Sequence, residues 1–468
     1  MEWLTGCGYA LWRCEMQALL NRSVTGRVIA GCLLLALSQS VGATPEPGLR
    51  AVYEIVRTRT NPVTKGESGS TVERGVLTVR LTPNMVAVRE NDVERIVNFG
   101  AGRVVVLDHA ERSAIEHSLY AVPAFREKEL VNRAMSRGFA KIFAQKYDLV
   151  DAESELGMLG SPPAKLKMSQ QQRGTERVFV LNKHEAVSFV PAALQVPETL
   201  AKALDRLYLF EAQLHPRVRA VLTSGKQLPA RLSYEFRLFQ AETTVVWELR
   251  EAVLEEQDLG AAATAYAVGP LDEAPILVAA WRVRTGQAGP SPTAKDYEER
   301  AARLLAEGRA FESFLVGMEA AFATGEIPEG ALKRARDAGA ADPRMQDYVR
   351  AGDLEARHGD PQEALRLLEA LDADTLEGGA AIFVQRANQY VRQQQGEQAL
   401  QEFGRALNKN PFMIGPWHDA GWVFSNGYAM VMAWTCWDAA RTVAADAPEL
   451  RDVKKLEAAL SQRHPEFF

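Results

Sequence analysis

Bulky and small side chains recur about every 34 residues through the last third of this 468-residue chain, and this recurrence limits the fold more than any other feature. The first bulky residues of four successive units lie 33, 35 and 34 residues apart: Leu315, Tyr348, Phe383 and Trp417. Such a period is typical of stacked helical hairpins, because a given side-chain size is needed wherever two helices touch. We therefore predict an α-solenoid of about four hairpins from Ala310 to Pro448. A capping helix, Leu450 to Gln462, should follow it.

Two units carry the pattern most fully. One contains Phe383, Ala387, Tyr390, Ala399, Phe403, Ala406 and Pro411, and the next contains Trp417, Gly421, Phe424, Ala433, Trp437 and Ala440. The preceding unit keeps Tyr348, Gly352, Ala364 and Leu368, and a weaker first unit has Leu315, Phe322, Ala331, Ala338 and Pro343. This order of sizes resembles the tetratricopeptide repeat (TPR) family, with Arg386 departing from the family's leucine. The resemblance implies a surface that binds a protein or peptide.

TPR arrays hold extended peptides on the concave face of the first helix of each hairpin. The matching positions form a predicted peptide-binding groove of Gln346, Asp353, Arg357, Asn388, Arg392, His418, Trp422 and Asn426. Arg357 and Arg392 occupy the same position in consecutive units, with Asn388 between them, so we expect them to grip a carboxylate or acidic side chain. The alternative is a solvated helix face. Val349, Val384 and His418 replace the lysine position of the chaperone-binding clamp, which argues against that clamp.

Residues 44–284 show the shorter period of β-strands. Apolar or alternating runs occur at Ala51–Arg57, Gly75–Leu81, Met85–Arg89, Arg95–Phe99 and Arg103–Asp108. The last four are separated by short turn segments that leave no room for crossover helices. We therefore predict an antiparallel sheet with helices at Glu127–Gln145 and Pro197–Phe210, and with one apolar and one polar face. The fold class is α+β: an N-terminal β-rich domain, a hinge at residues 285–293 and a helical domain at 294–468.

One stretch of the strand region contains Val97-Asn-Phe-Gly-Ala-Gly-Arg-Val-Val-Val-Leu-Asp and is followed by Arg112-Ser113. In these residues the region resembles the lipoprotein-carrier (Lol-type) half-barrel proteins of the periplasm. That resemblance covers residues 49–260 at most. It implies an apolar concavity able to hold an acyl chain or lipid. The alternative is that the apolar strand faces simply pack beneath the helices as an ordinary core.

Residues 1–43 have the organisation of a secretory signal peptide. Arg22 and Arg27 precede the apolar run 28–37, and a small-x-small site ends at Ala43. We expect an exported, periplasmic protein, with Met16 as an alternative start. A membrane anchor is a second interpretation of the apolar run, and Cys32 in a lipobox-like Ile-Ala-Gly-Cys gives a third, a lipid-anchored form.

Neither composition nor motifs indicate catalysis. The net charge of −6 gives no reason to expect nucleic acid. Cys7, Cys14 and Cys32 precede the cleavage site, which leaves Cys436 without a disulfide partner, as a small buried residue. Phosphate loops, zinc motifs and nucleophile elbows are missing from the sequence. The acidic group Asp148, Asp151, Glu153 and Glu155 is interpreted as a solvated loop, so we expect no cofactor and no metal.

These observations favour a non-enzymatic cell-envelope protein, an adaptor or assembly scaffold that binds a protein or peptide partner through its TPR groove. The alternative is a lipid or lipoprotein carrier, in which the β-rich domain holds an apolar ligand and the repeats recruit a partner. The partner's identity and the oligomeric state do not follow from the sequence.

Overall fold

A computed structural model describes residues 46–60, 69–142, 167–181, 184–238, 241–260 and 266–468. It confirms the predicted α+β class, with a large open antiparallel sheet followed by a run of helices. The chain forms two compact units. Among the described residues, the first comprises 46–268 and Leu460–Phe468, and the second comprises Gly269–Ala459.

The sheet of the first unit has twelve described strands. They are β1 (Glu46–Thr60), β2 (Ser70–Leu81), β3 (Met85–Glu90), β4 (Val93–Asn98), β5 (Arg103–Asp108), β6 (Ser113–Ser118), β7 (Met168–Arg173), β8 (Glu176–Leu181), β9 (His184–Gln195), β10 (Gln227–Leu238), β11 (Ala241–Gln257) and β12 (Ala267–Val268). Their spatial order is β12-β6-β5-β4-β3-β2-β1-β11-β10-β9-β8-β7. The predicted antiparallel meander is confirmed for β1 to β6, while β12 pairs with β6 in parallel.

The helices of this unit are α1 (Ala121–Ile142), α2 (Ala201–Leu207), a π-helical turn (Tyr208–Ala212) and α3 (Pro216–Ser224). Residues of α2, the π-helical turn and α3 cover one face of the sheet. The predicted helix at 127–145 therefore begins earlier than expected, and the one at 197–210 is observed as a 3-10 turn (Glu198–Leu200), α2 and the start of the π-helical turn. Leu204, Leu207 and Leu222 pack against the apolar strand residues Tyr53 and Trp247. This burial is the main favourable contribution to the unit's stability.

The opposite face of the sheet is polar and carries ion pairs across neighbouring strands. Arg50 Nη1 lies 2.9 Å from Glu251 Oε1, and Glu54 pairs with both Arg74 and Arg250. The predicted division into one dry and one wet face is therefore confirmed for this region.

The second unit is helical. Its helices are α4 (Pro275–Arg284), α5 (Ala294–Ala306), α6 (Ala310–Thr324), α7 (Glu329–Ala338), α8 (Pro343–Ala356), α9 (Pro361–Glu369), α10 (Ala380–Arg392), α11 (Gly396–Lys409), α12 (Ile414–Asn426), α13 (Met430–Val443) and α14 (Arg451–Arg463), the last of which continues beyond Ala459. The predicted hinge at 285–293 separates α4 from α5. The two units divide earlier, between Val268 and Gly269.

Consecutive helices from α8 to α13 pack as pairs, in agreement with helical repeats. The positions that mark the repeats are buried, including Phe383, Phe403, Trp417 and Trp437. Small residues stand where two helices come closest, since a β-carbon on Gly421 would overlap the indole of Trp437. The sizes read from the sequence therefore correspond to real helix contacts.

Helix α6 departs from a regular hairpin array. It is apolar around most of its circumference, and it contacts α10 and α12 as well as α5 and α7. Helix α7 packs on it through Leu332, whose side chain occupies the space above Gly317, and through the buried Ala335. Ala338, predicted as a contact of the first unit, is exposed because α7 turns a different stripe toward α6.

Several predictions fall on residues outside the described ranges. These are the signal peptide at 1–43 with its three cysteines, and the acidic group at 148–155. Within the described residues, no helix combines the length and apolar character that crossing a membrane would require. Cys436 is a fully buried free cysteine, and burial raises the pKa of its thiol far above the ordinary value.

Candidate functional site

The eight residues of the predicted groove lie on three helices that each begin a hairpin or its equivalent. Helix α8 and its C-cap carry Gln346, Asp353 and Arg357, α10 carries Asn388 and Arg392, and α12 carries His418, Trp422 and Asn426. They recur at equivalent positions because successive hairpins have nearly the same length. We call the surface formed by these residues the repeat face.

Arg392 is already bonded within the protein. Its guanidinium donates to Oε1 of Gln389 at 2.8 Å and to the main-chain oxygen of Gly359 at 2.7 Å. Gly359 lies in the turn that follows α8, so Arg392 ties α10 to the end of the preceding hairpin's first helix. Arg357 is exposed at the C-cap of α8. The predicted two-pronged grip stays a prediction, and it would require Arg392 to leave its contacts with Gln389 and Gly359.

Asn388 bonds to a carboxylate that the sequence did not single out. Its Nδ2 donates to Oε1 of Glu355 at 3.3 Å, and Nε2 of Gln389 donates to Oε2 of the same residue at 2.9 Å. Burial raises the pKa of Glu355 and the negative charge of Asp419 adds to the increase, while Asn388 and Arg392 act in the opposite direction. The half-buried carboxyl thus links α8, α10 and α12 electrostatically.

His418 lies between two carboxylates. Its Nδ1 is 2.9 Å from Oδ1 of Asp419, and its Nε2 is 3.1 Å from both carboxylate oxygens of Asp452 on α14. Burial alone lowers the pKa of His418, but hydrogen bonds to the two aspartates outweigh it, and the net shift is upward. Trp422 donates its indole N–H to Oδ2 of Asp452 at 3.0 Å. These contacts hold α14 against α12.

The repeat face is more acidic than the predicted residues alone suggested. Asp353 is exposed, Asp419 and Asp452 are about half exposed, and Glu355 interacts electrostatically with both Asp419 and Arg392. Arg357 is exposed, but Arg392 is engaged with main chain and with Gln389, so the carboxylates of this face outnumber its accessible positive charge. Amide and cationic groups are the better complement.

Sequence reasoning missed Glu355, Asp419 and Asp452. Glu355 was open to detection, because it stands where the next two units carry the aromatic residues Tyr390 and Phe424. A charged residue at a position that packs aromatics elsewhere signals a local change of chemistry. Asp419 and Asp452 gave no such signal, because their importance comes from contacts with His418 across α12 and α14.

The helical unit also contains a cleft of about 770 Å³. It lies among α4, α5, the loop 374–379 and the loop 408–412, and both cations and carboxylates line it. Arg300 bonds Glu377 at 2.8 Å, and Arg309 bonds Glu312 at 2.9 Å. These pairs lower the pKa values of both glutamates. The charges of the cleft are therefore largely balanced internally.

Glu319 forms the floor of this cleft and has a structural role. It is nearly fully buried on α6, where Nδ2 of Asn410 lies 3.3 Å from its Oε2, and the main-chain N–H of Ala380 bonds to it. Ala380 is the first residue of α10, whose own N-cap, Gly379, provides no capping side chain. The carboxylate of Glu319 thus caps α10 from another helix, although burial leaves its pKa raised.

One histidine cluster in the first unit was not expected. His109 places Nε2 at 2.9 Å from Glu94 and Nδ1 at 2.6 Å from the hydroxyl of Tyr266. Tyr266 immediately precedes β12, so the cluster fastens that short strand beside β6. In the part of the chain that the structure describes, no three His, Cys, Asp or Glu residues converge to form a metal site.

The apolar core of the first unit contains polar atoms without partners. The hydroxyls of Tyr53 and Tyr208 and the indole N–H of Trp247 are buried and have no hydrogen-bond partner among the described residues. Burial raises the pKa values of both tyrosines. Tyr208 begins the π-helical turn, and Gln213, just after it, adopts a left-handed conformation with φ of 49°. Unsatisfied groups and irregular backbone therefore occur together above the sheet.

Comparisons with known proteins add little. No family model matches the chain, and no curated protein matches it. One solved structure, described as lipid–protein interactions in lipovitellin, matches with a TM-score of 0.18 and 9% identity, over 90% of this chain and 56% of that one. The chain thus spans about half of that structure's length. A TM-score this low establishes neither a common fold nor a common ligand, and the TPR and carrier resemblances stay predictions.

Proposed function

We propose that this protein is a non-enzymatic adaptor of the TPR type whose repeat face binds a segment of a protein partner. The observation that carries the proposal is the row of polar side chains that crosses α8, α10 and α12. Glu355, Asn388 and His418 are only partly exposed and lie above a buried apolar layer. A row of this kind offers alternating donors and acceptors to an extended main chain.

The charges of the row indicate the chemistry of the partner. Asp353, Asp419 and Asp452 are accessible at its surface and outnumber the exposed Arg357, whereas Arg392 is engaged. A partner segment with Lys or Arg side chains would gain favourable electrostatic contacts, and an acidic segment would be repelled. This chemistry differs from the carboxylate ligand expected from the two arginines.

A site-specific photocrosslinking experiment tests the proposal. Val391 lies on α10 three residues after Asn388, and Ile327 lies in the loop before α7; both are exposed apolar residues and can each be replaced by a photoreactive phenylalanine. We expect a crosslinked partner from position 391 and not from position 327, in cells that express the full chain. The adduct should disappear when Asp353→Lys and Asp419→Lys are added. Equal crosslinking at both positions would contradict a specific repeat face.

The matched charge control uses carboxylates elsewhere in the helical unit. Asp337 and Asp446 are exposed, and Asp337→Lys with Asp446→Lys makes the same change in net charge. The adduct at position 391 should survive these changes. Its loss would mean that overall charge, rather than the repeat face, determines binding.

A second function, binding of an apolar ligand in the first unit, is favoured by one observation. Tyr53 and Trp247 of the sheet and Tyr208 of the irregular helical cover have unsatisfied polar atoms, and an amphiphile with a polar head could displace that cover. Native mass spectrometry of the full chain, purified without detergent, tests this candidate. A bound lipid mass that Tyr208→Ala abolishes would support it, and a chain that stays bare after incubation with lipid vesicles would exclude it.

The proposed location is the periplasm. It rests on the charged, apolar and small-x-small succession of residues 1–43. N-terminal sequencing of the protein from an envelope fraction tests it, with Thr44 expected as the first residue. A blocked N-terminus at Cys32, or an intact leader, would favour an anchored form instead.

A further inference from the structure

The segment Leu460–Phe468 lies in a basin on the first unit. Phe467 is 1% exposed, and its ring meets Phe210 edge to face with centroids 5.4 Å apart. The guanidinium of Arg126 lies over the other part of the same ring, 5.0 Å from its centroid. The ring of Phe468 packs on Tyr120 at 4.8 Å. Two adjacent aromatic side chains therefore anchor the segment.

Polar contacts fix its main chain. Lys202 Nζ donates to the main-chain oxygen of Phe468 at 2.9 Å, and the guanidinium of Arg206 donates to the same atom. Arg206 also stacks on Phe99, with its central carbon 3.6 Å from the ring centroid. A buried cation is costly unless it is paired, so this oxygen stabilises the charge of Arg206.

A third set of contacts involves the residues that precede Phe467. His464 Nε2 lies 3.0 Å from Glu127 Oε1, and Arg463 lies 2.8 Å from the same oxygen. Glu466 interacts with His464 and with the positive charge of Arg219. The basin therefore contacts side chains at five positions of a short linear segment: Arg463, His464, Glu466, Phe467 and Phe468.

The fit between basin and segment is incomplete. The Nε atoms of Arg206 and Arg219 are buried and have no hydrogen-bond partner among the residues that the structure describes. Arg206 is 3% exposed and Arg219 is 5% exposed, so water does not reach these groups easily. Both guanidiniums are paired through other nitrogens, Arg206 with the main-chain oxygen of Phe468 and Arg219 with Asp205, so each Nε remains an unsatisfied donor.

The composition of the basin is that of a recognition site. Arginines and aromatic residues dominate the centres of protein–protein interfaces, where they anchor short segments. In this basin, the arginine and aromatic side chains come from separate elements: the end of β4, α1, α2 and the π-helical turn. A segment of nine residues buries Phe467, packs Phe468 on Tyr120 and engages both Lys202 and Arg206, which is the pattern of a linear peptide in its receptor.

We propose that this basin is a peptide-binding site, that Leu460–Phe468 is its built-in occupant, and that a partner segment with an acidic residue followed by two aromatic residues competes for it. The site lies on the first unit and is independent of the repeat face. Its partner has the opposite charge to that proposed for the repeat face, so the two functions succeed or fail separately.

The test measures binding of a fluorescent peptide with the sequence Ser461–Phe468 to the full chain by anisotropy. A tethered occupant competes at an effective concentration of about a millimolar. The double substitution Phe467→Ala and Phe468→Ala weakens this occupant, so the variant should bind the peptide at least tenfold more tightly than the wild type. Equal affinities, or no binding to either chain, would overturn the proposal.

Matched controls locate the binding. Phe322→Ala with Phe412→Ala removes two phenylalanines from the helical unit, and this variant should bind as weakly as the wild type. In the chain with the weakened occupant, Lys202→Gln should reduce the affinity by about threefold, because it removes a partly exposed charged contact. Lys226→Gln, at another exposed lysine of the first unit, should leave the affinity unchanged. If Lys226→Gln reduced the affinity and Lys202→Gln did not, the peptide would bind outside the basin.

A second measurement needs no substitution. The amides of Phe467 and Phe468 donate to the main-chain oxygens of His464 and Pro465. Hydrogen exchange of these amides in the wild-type chain should accelerate when excess isotope-labelled peptide, separable by mass, displaces the segment. Unchanged exchange at a peptide concentration of several millimolar would overturn the proposal even if the substituted chains fail to fold.

Discussion

The indole of Trp437 on α13 lies so close to Gly421 on α12 that a β-carbon at residue 421 would overlap its Nε1 and Cδ1 atoms. The same indole donates its N–H to the main-chain oxygen of His418 at 3.1 Å. A glycine thus allows the two helices of this hairpin to approach, and the hydrogen bond determines how the tryptophan is oriented. Packing of this kind explains why the repeat pattern was visible in the sequence.

Gly421→Ala should destabilise the helical unit by about 1–3 kcal/mol, because the added methyl forces the indole of Trp437 to move. Gly415→Ala, in the first turn of the same helix, is the control: among the described residues, nothing lies within 4 Å of the place that its β-carbon would take. That change should be neutral or stabilise by up to about 1 kcal/mol. Thermal unfolding followed by tryptophan fluorescence measures both. Similar effects at the two glycines would contradict the close approach.

Arg392→Gln should destabilise the chain by about 1.5–3 kcal/mol, because it removes a charged donor from the oxygen of Gly359 and from Gln389. Arg357→Gln should change stability by less than about 0.5 kcal/mol, because this side chain is exposed at the end of α8. Denaturant titration distinguishes the two. Equal, small effects would mean that Arg392 is a surface residue available to a ligand, as the sequence first suggested.

The helical repeats could be predicted because side-chain size encodes the contacts between neighbouring helices. Phe383, Ala399 and Phe403 are buried where the pattern required it. The position of α6 could not be predicted in the same way. Its surface is apolar nearly all round, so the sequence contains no stripe that selects α10 and α12 as its neighbours.

In the sheet, too, pairing between strands that are neighbours in sequence could be predicted, whereas pairing between strands far apart in sequence could not. Short turns between β2 and β6 made the antiparallel meander predictable. The pairing of β1 with β11 joins strands about two hundred residues apart, and no spacing rule connects them. At the repeat face, the helix positions followed from the repeat, whereas the links of Glu355 to Asn388 and of His418 to Asp452 depend on side-chain geometry.

Tyr53→Phe should leave the stability of the first unit unchanged or increase it by up to about 1 kcal/mol, because the hydroxyl removed is buried and has no partner among the described residues. Tyr266→Phe is the contrasting change. Its hydroxyl bonds to Nδ1 of His109 at 2.6 Å, so the loss should cost about 0.5–1.5 kcal/mol. Urea titrations of the two variants test this, and a larger loss for Tyr53→Phe would show that its hydroxyl is satisfied.

His418 should make the contact between α12 and α14 dependent on pH. Its pKa in the folded protein is raised by Asp419 and Asp452, which outweigh the effect of burial. The folded state therefore binds the proton more tightly than the unfolded state. The resulting stabilisation is fully present below the ordinary histidine pKa of about 6.5, and it is lost as pH rises through the raised value.

The measurement compares the wild type with His418→Gln at pH 5.5 and at pH 8.5. The wild type should exceed the variant in unfolding free energy by more at pH 5.5, because only there is the imidazolium paired with both carboxylates. Asp452→Asn should reduce this pH-dependent difference, since one of the two partners loses its charge. If the difference between the wild type and His418→Gln is the same at both pH values, the aspartates do not hold a proton on His418, and the contact with Asp452 is an ordinary neutral hydrogen bond.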